Sequence, residues 1–310
     1  MAYPIDKKLV IAVSSRALFN LDESHDIYVE KGIDEYKKHQ EKNIDTPLDK
    51  GAAFPFIKRF LNINKVFPDK LPVEVVILSK NSSETGLRVF RSIKHYGLDI
   101  SRAAFMSGEA PYEYIPAFNA SLFLSANEDD VKMANKNGYP AGLVLPAMIQ
   151  DSDDNKELNV AFDFDGVIAD DESESVFQKN KNLHEFHEHE TANVLKPHNP
   201  GPLADLFTKL SFMQKLEKKE EKHNKDYQKI LKISIITARN APAHERVLTT
   251  LKSWGVAADH IFFLGGMDKS RILKVLKPHM FFDDQLSHLQ ATETNIPMVH
   301  IPYGAINQQT

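Results

Sequence analysis

Val160-Ala161-Phe162-Asp163-Phe164-Asp165-Gly166-Val167-Ile168 places two carboxylates two positions apart behind an apolar run. A strand-forming run that ends on a turn delivers side chains to the carboxyl edge of a sheet, where open α/β folds collect their ligands. An acidic pair at such an edge suits phosphoryl transfer. Asp163 would attack phosphorus and carry the group as an aspartyl phosphate, splitting one hard displacement into two easier ones. Asp165 would protonate the leaving alkoxide and then take a proton from water. Working outward, β-rich runs recur at 9–13, 73–78, 121–124, 159–168, 233–236, 261–264 and 280–282, with helical patterns between them. That alternation predicts an α/β fold with a parallel, Rossmann-like sheet covered by helices on both faces.

The chain also resembles itself. Setting Ile77-Leu78-Ser79 on Ile235-Ile236-Thr237 gives an offset of 158 (237 − 79), which then carries Gly97 onto Gly255, Phe105 onto Phe263, Gly108 onto Gly266 and Leu122-Phe123-Leu124 onto Met280-Phe281-Phe282. Nearer the start of each half the offset is 149 (163 − 14), which pairs Ser14 with Asp163, Arg16 with Asp165 and Asp22-Glu23-Ser24 with Asp171-Glu172-Ser173. Two copies of one α/β unit are therefore expected, over 8–150 and 158–308, joined near the acidic stretch that starts at Asp151. Where Asp163, Asp165, Thr237, Lys269, Asp283 and Asp284 stand in the second copy, the first has Ser14, Arg16, Ser79, Pro111, Ser125 and Ala126. The first copy is thus expected to be degenerate, with chemistry confined to the second.

Composition narrows the class. The 310 residues are 42% hydrophobic and carry no cysteine, which points to a folded protein without disulfides or thiolate metal sites and to a reducing compartment such as the cytoplasm. The apolar run at 9–13 is too short for a signal or membrane segment. A net charge of −5 offers no footprint for a nucleic-acid polymer, while a small phosphorylated substrate can be met locally. A homo-oligomer is compatible with this composition, which selects no particular state.

Three later segments complete the chemistry. Thr237, closing the apolar run at 233–236 and followed by Ala238, can present a hydroxyl to a phosphoryl oxygen, although such a threonine is commonly an N-cap. Lys269, after Gly265-Gly266, can neutralise charge on the transferring group. Met280-Phe281-Phe282-Asp283-Asp284 puts two more carboxylates at a strand end. Magnesium wants hard oxygen ligands and keeps several waters, which Asp163, the Asp165 carbonyl and Asp284 would supply. Asp283 is better placed to orient Lys269 or a metal-bound water.

Asp-x-Asp, then a strand-end threonine, then lysine, then Asp-Asp resembles the haloacid dehalogenase superfamily over about 158–308. More narrowly, Ile11-Ala12-Val13-Ser14-Ser15-Arg16, Asp171-Glu172-Ser173-Glu174, His95-Tyr96-Gly97-Leu98, Phe281-Phe282-Asp283-Asp284-Gln285 and His300-Ile301-Pro302-Tyr303-Gly304 resemble the type I cytosolic 5'-nucleotidase family, from about 8 to 306. The resemblance implies Mg²⁺-dependent hydrolysis of a nucleoside 5'-monophosphate, AMP or a relative, with Thr237, Ala238 and Lys269 meeting the phosphate. One departure is that Phe164 stands between the paired aspartates, where animal members of the family have glycine, and Gly166 follows the second.

Residues 171–230 are long enough for a helical cap over the phosphate site. His184, His187 and His189 cluster there, but helical spacing favours a solvated charged face over a metal site. The run 215–225 reads as an exposed helix and turn, and Trp254 as packing at a helix end. A phosphotransferase, a phosphatase for another small phosphate ester and a non-catalytic nucleotide sensor stay open beside the nucleotidase reading.

Overall fold

A computed structural model describes residues 3–147, 156–290 and 295–307. It divides into Met1–Asp151 and Ser152–Thr310. Most of the acidic stretch expected at the junction, 151–155, lies outside the described residues.

In the amino-terminal unit the chain runs β1 (Leu9–Val13), α1 (Ser15–Leu18), β2 (Phe19–Asn20), α2 (Asp22–Lys42), β3 (Asp49–Lys50), α3 (Phe54–Val66), β4 (Val73–Ser79), α4 (Ser83–His95), β5 (Arg102–Phe105), β6 (Ala120–Ser125), α5 (Glu128–Lys136) and β7 (Ala141–Val144). The long strands pair in parallel in the order β5-β4-β1-β6-β7. Every residue of β1 and β4 is buried, as expected of strands covered on both faces. The short β2 and β3 pair antiparallel at the sheet's carboxyl edge.

In the carboxyl-terminal unit the order is β8 (Leu158–Phe162), α6 (Glu172–Asn180), α7 (Leu183–Ala192), α8 (Ala204–His223), β9 (Leu231–Thr237), α9 (His244–Ser253), β10 (His260–Phe263), α10 (Ser270–Leu276), β11 (Met280–Asp283), α11 (Leu286–Gln290) and β12 (Met298–His300). The parallel strands run β10-β9-β8-β11-β12. Counting only the long strands of each unit, both sheets have the order 3-2-1-4-5. The direction of winding reverses between β8 and β11 in one unit and between β1 and β6 in the other, and ligands of such folds bind at that reversal. Within the stretch expected to cap the site, α8 belongs to the layer on the sheet: Leu206, Phe207 and Leu210 are buried, and the Phe207 ring meets Phe162 edge-on at 5.6 Å.

The expected strand at 159–168 is shorter than the apolar run. It stops at Phe162, and Phe164–Ile168 forms a tight helical turn with Gly166 at φ +68°. β5, β7 and β12, of three or four residues each, did not stand out in the sequence.

Several hydrogen bonds recur at matching positions of the two units. Gly51 N donates to Leu18 O at 2.9 Å and Gly201 N to Ile168 O at 2.8 Å, an offset of 150 (201 − 51). Arg88 binds Thr46 O through Nε and Gln40 Oε1 through Nη1, while Arg246 binds Lys196 O through Nε and Glu190 Oε1 through Nη1. Ser92 Oγ donates to Arg88 O and accepts from Leu48 N; Thr250 Oγ1 donates to Arg246 O and accepts from His198 N. After the second long strand, Ser107 N and Gly108 N close on Asn81 O and Lys80 O, as Gly265 N and Gly266 N close on Arg239 O and Ala238 O.

Candidate active site

The reversal between β8 and β11 gathers four of the residues read from the sequence. Asp163, the first residue past β8, donates its backbone N–H to Phe282 O of β11 at 2.8 Å and accepts Phe164 N on its Oδ1 at 2.6 Å. Its carboxylate therefore stands at the edge with one oxygen already oriented. Lys269, just before α10, donates its Nζ to Asp163 Oδ2 at 2.5 Å and to Asp283 Oδ2 at 2.7 Å. Asp283 Oδ1 accepts Gln285 N at 2.8 Å, and His288 Nδ1 lies 3.3 Å from it. The Asp283 carboxylate thus holds the lysine ammonium from a second side. Thr237 ends β9 with its Oγ1 accepting Arg239 N at 3.2 Å, so its hydroxyl proton can be donated elsewhere.

Asp284 is packed beneath the turn after Asp163. A Cβ on Gly166 would come within 2.5 Å of Asp284 Oδ2, so the glycine is required by close approach as well as by its backbone conformation. The Asp284 carbonyl accepts Asn307 Nδ2 at 3.0 Å, while its buried Oδ1 has no hydrogen-bond partner among the described residues.

The electrostatics are those of crowded acids. Burial raises the Asp163 carboxyl above its ordinary range, with Lys269 pulling it back and Asp283 pushing further. Burial also raises Asp284, reinforced by the charges of Asp163 and Asp283. Burial works against the Lys269 ammonium, but Asp163 and Asp283 outweigh it and keep it protonated. One ammonium among three buried carboxylates leaves negative charge to be met. A divalent cation taking oxygen ligands would suit that donor set, with Asp163 and Asp284 among the residues that would hold it. Donor atoms of Asp163, Asp283 and His288 also lie within 4.8 Å of one another, but there the lysine ammonium itself is the cation between the two acids.

Asp165 points elsewhere, into a guanidinium. Arg239 Nε and Nη2 each donate to it at 2.7 Å, and Arg239 Nη1 donates to Glu190 of α7. Arg246 of α9 bridges Glu190 Oε1 and Glu172 Oε2, both at 2.9 Å, and Ser173 Oγ also donates to Glu190. His198 lies beside Arg239 and 3.7 Å from Asp170. Sequence reasoning gave none of Arg239, Glu190, Arg246 or His198 a role. Of the histidines on α7, His184 is exposed, His187 meets Asn240 Oδ1 at 3.1 Å and His189 meets Glu172 at 3.2 Å. The helix that reads as a solvated face hides Glu190, which is 1% exposed.

With this geometry in hand, comparison with known proteins is specific. A model of the 5'-nucleotidase family matches residues 1–308. Human cytosolic 5'-nucleotidase 1B is 33% identical over 291 residues, 92% of this chain and 47% of the human protein, so the chain spans about half the length of that relative. No solved structure matches the chain.

Proposed function

The chain belongs to the 5'-nucleotidase family, and from that premise we propose that its carboxyl-terminal unit hydrolyses nucleoside 5'-monophosphates through an aspartyl phosphate on Asp163. Asp163 forms the bond to phosphorus while the bond from phosphorus to the 5' oxygen breaks, and Asp165 gives that oxygen its proton. Water then attacks the phosphoryl group, Asp165 takes the proton, and phosphate and nucleoside leave. Lys269, the Thr237 hydroxyl and the Ala238 backbone are the groups to receive phosphoryl oxygens. Asp163, the Asp165 carbonyl and Asp284 would hold Mg²⁺, which supplies charge neutralisation at the transferring phosphate. The observation that carries this reading is the convergence of Asp163, Lys269, Asp283 and the unpartnered Asp284 Oδ1 at the sheet's reversal point.

The amino-terminal unit is, in this reading, a second copy that kept the scaffold and lost the chemistry. Its matching strand order and matching hydrogen bonds support that, as does the absence of a carboxylate at Ser14, Ser125 and Ala126. A phosphate-release screen across nucleoside monophosphates and sugar phosphates, with and without Mg²⁺, tests the activity. Release of phosphate from nucleoside monophosphates that requires the metal is the expected result; indifference to the metal or preference for sugar phosphates would refute it.

A further inference from the structure

Resting on the reading of Asp165 as the proton-transferring group, we infer that Arg239 is a positioning residue that ties the placement of Asp165 to the seating of helix α7. Two parallel N–H donors at 2.7 Å fix both the distance and the plane of the Asp165 carboxylate, which a single contact cannot do. The opposite edge of the same guanidinium binds Glu190, so one rigid planar group spans from the turn after β8 to the cap helix. Arg246 and Ser173 hold Glu190 in turn. Arg239, Glu190 and Arg246 are all at least nine-tenths buried.

Burying such a chain of charges is a poor way to gain stability, because desolvation offsets most of the attraction. Its value lies in geometry: each group has one place to go. The amino-terminal unit repeats the arrangement without the charges. Asn81, at the position matching Arg239, accepts Ser15 Oγ at 2.6 Å beside the first strand's end and donates to Tyr36 OH on α2 at 3.0 Å. A relay from strand end to cap helix is therefore part of the scaffold, and in the carboxyl-terminal unit it ends on the group that moves the proton.

The test separates leaving groups. AMP releases an alkoxide that needs a proton, whereas p-nitrophenyl phosphate releases a phenolate that does not. In kcat/KM, which reports phosphoryl transfer to the enzyme, R239Q is expected to lose about 10²-fold on AMP and no more than about fivefold on the aryl ester. R239K, which keeps the charge but not the fork, should recover part of the AMP rate. E190Q should show the same selectivity in smaller degree. Equal losses on both substrates, no loss on either, or failure of both Arg239 variants to fold would make the role structural and overturn the inference, and an unselective E190Q would overturn the link to α7. D165N is measured alongside: if it shows no selectivity for the alkoxide substrate, the assignment of Asp165 itself fails, whatever Arg239 does.

Discussion

At the strand ends of the amino-terminal unit stand Ser14, Ser79, Ser125 and Ala126; at the matching positions of the carboxyl-terminal unit stand Asp163, Thr237, Asp283 and Asp284. The backbone around both sets is held by equivalent hydrogen bonds. The serines are settled locally: Ser14 Oγ caps α1 by accepting Ala17 N, and Ser15 and Ser79 share a proton contact at 2.8 Å and both reach Asn81. The acids are not settled, since they need Lys269 and leave Asp284 Oδ1 without a partner. A hydroxyl can be satisfied by its own turn, whereas a buried carboxylate calls for a cation from outside it. Equivalent backbone can therefore carry either self-satisfied hydroxyls or acids that need a cation, and only the second arrangement suits the chemistry proposed for the carboxyl-terminal unit.

The sharpest way to break this contrast is Asp163→Asn against Ser14→Ala. Phosphate release should fall by at least about 10⁴-fold in the first and stay near wild type in the second; comparable losses would mean both crevices react. Lys269→Gln should lower kcat by about 10²- to 10³-fold in the same steady-state assay, as loss of a preorganised donor does.

Gly51→Ala and Gly201→Ala ask whether the scaffolds are equally tight. An added Cβ would come within 2.7 Å of Leu18 C in one and 2.2 Å of Ala169 O in the other, so each should cost about 1–3 kcal/mol in urea unfolding. A neutral Gly51→Ala would show that the amino-terminal turn has relaxed. Ser82 and Thr85 form a capping box on α4 that α9 lacks, so Ser82→Ala should cost about 1 kcal/mol in the same measurement.

The smallest effect concerns pH. Burial opposes charge on His198, but Asp170 and Glu190 outweigh it and raise its proton affinity. A raised histidine contributes stability that is full below its unfolded value of 6.5 and is lost as pH rises through the folded one. Leu48 occupies the matching place in the other unit. Melting temperatures of wild type and His198→Gln should therefore converge as pH rises above neutrality, and a gap that widens instead would contradict the ion pairing.

The parts of this molecule legible in sequence are those whose signal is local. The β-branched runs of β1, β4 and β9 announce buried strands, and Asp163, Asp283 and Asp284 follow short apolar runs. The sequence extends the strand to 168 because Val167 and Ile168 are as apolar as the strand itself, although they fill the core under a turn. The Asp165–Arg239–Glu190 relay joins residues 74 and 49 positions apart, and charged side chains on a helix look solvated until the fold buries them. The likeness of the halves is legible as an offset, whereas the parallel bonding of Arg88 and Arg246 joins residues too far apart in sequence to be read from it.

Gly166 carries a last consequence. Arg16 matches Asp165 at an offset of 149, whereas Ala17 matches Val167 at 150, through their carbonyls' bonds to Ala53 N and Leu203 N. The extra residue is the glycine whose missing side chain admits Asp284. Placing the carboxyl-terminal unit's side chains at the matching positions of the amino-terminal unit would still leave no seat for a carboxylate at Ala126, because the main chain there is one residue shorter. Building such a site there by design must begin with an insertion.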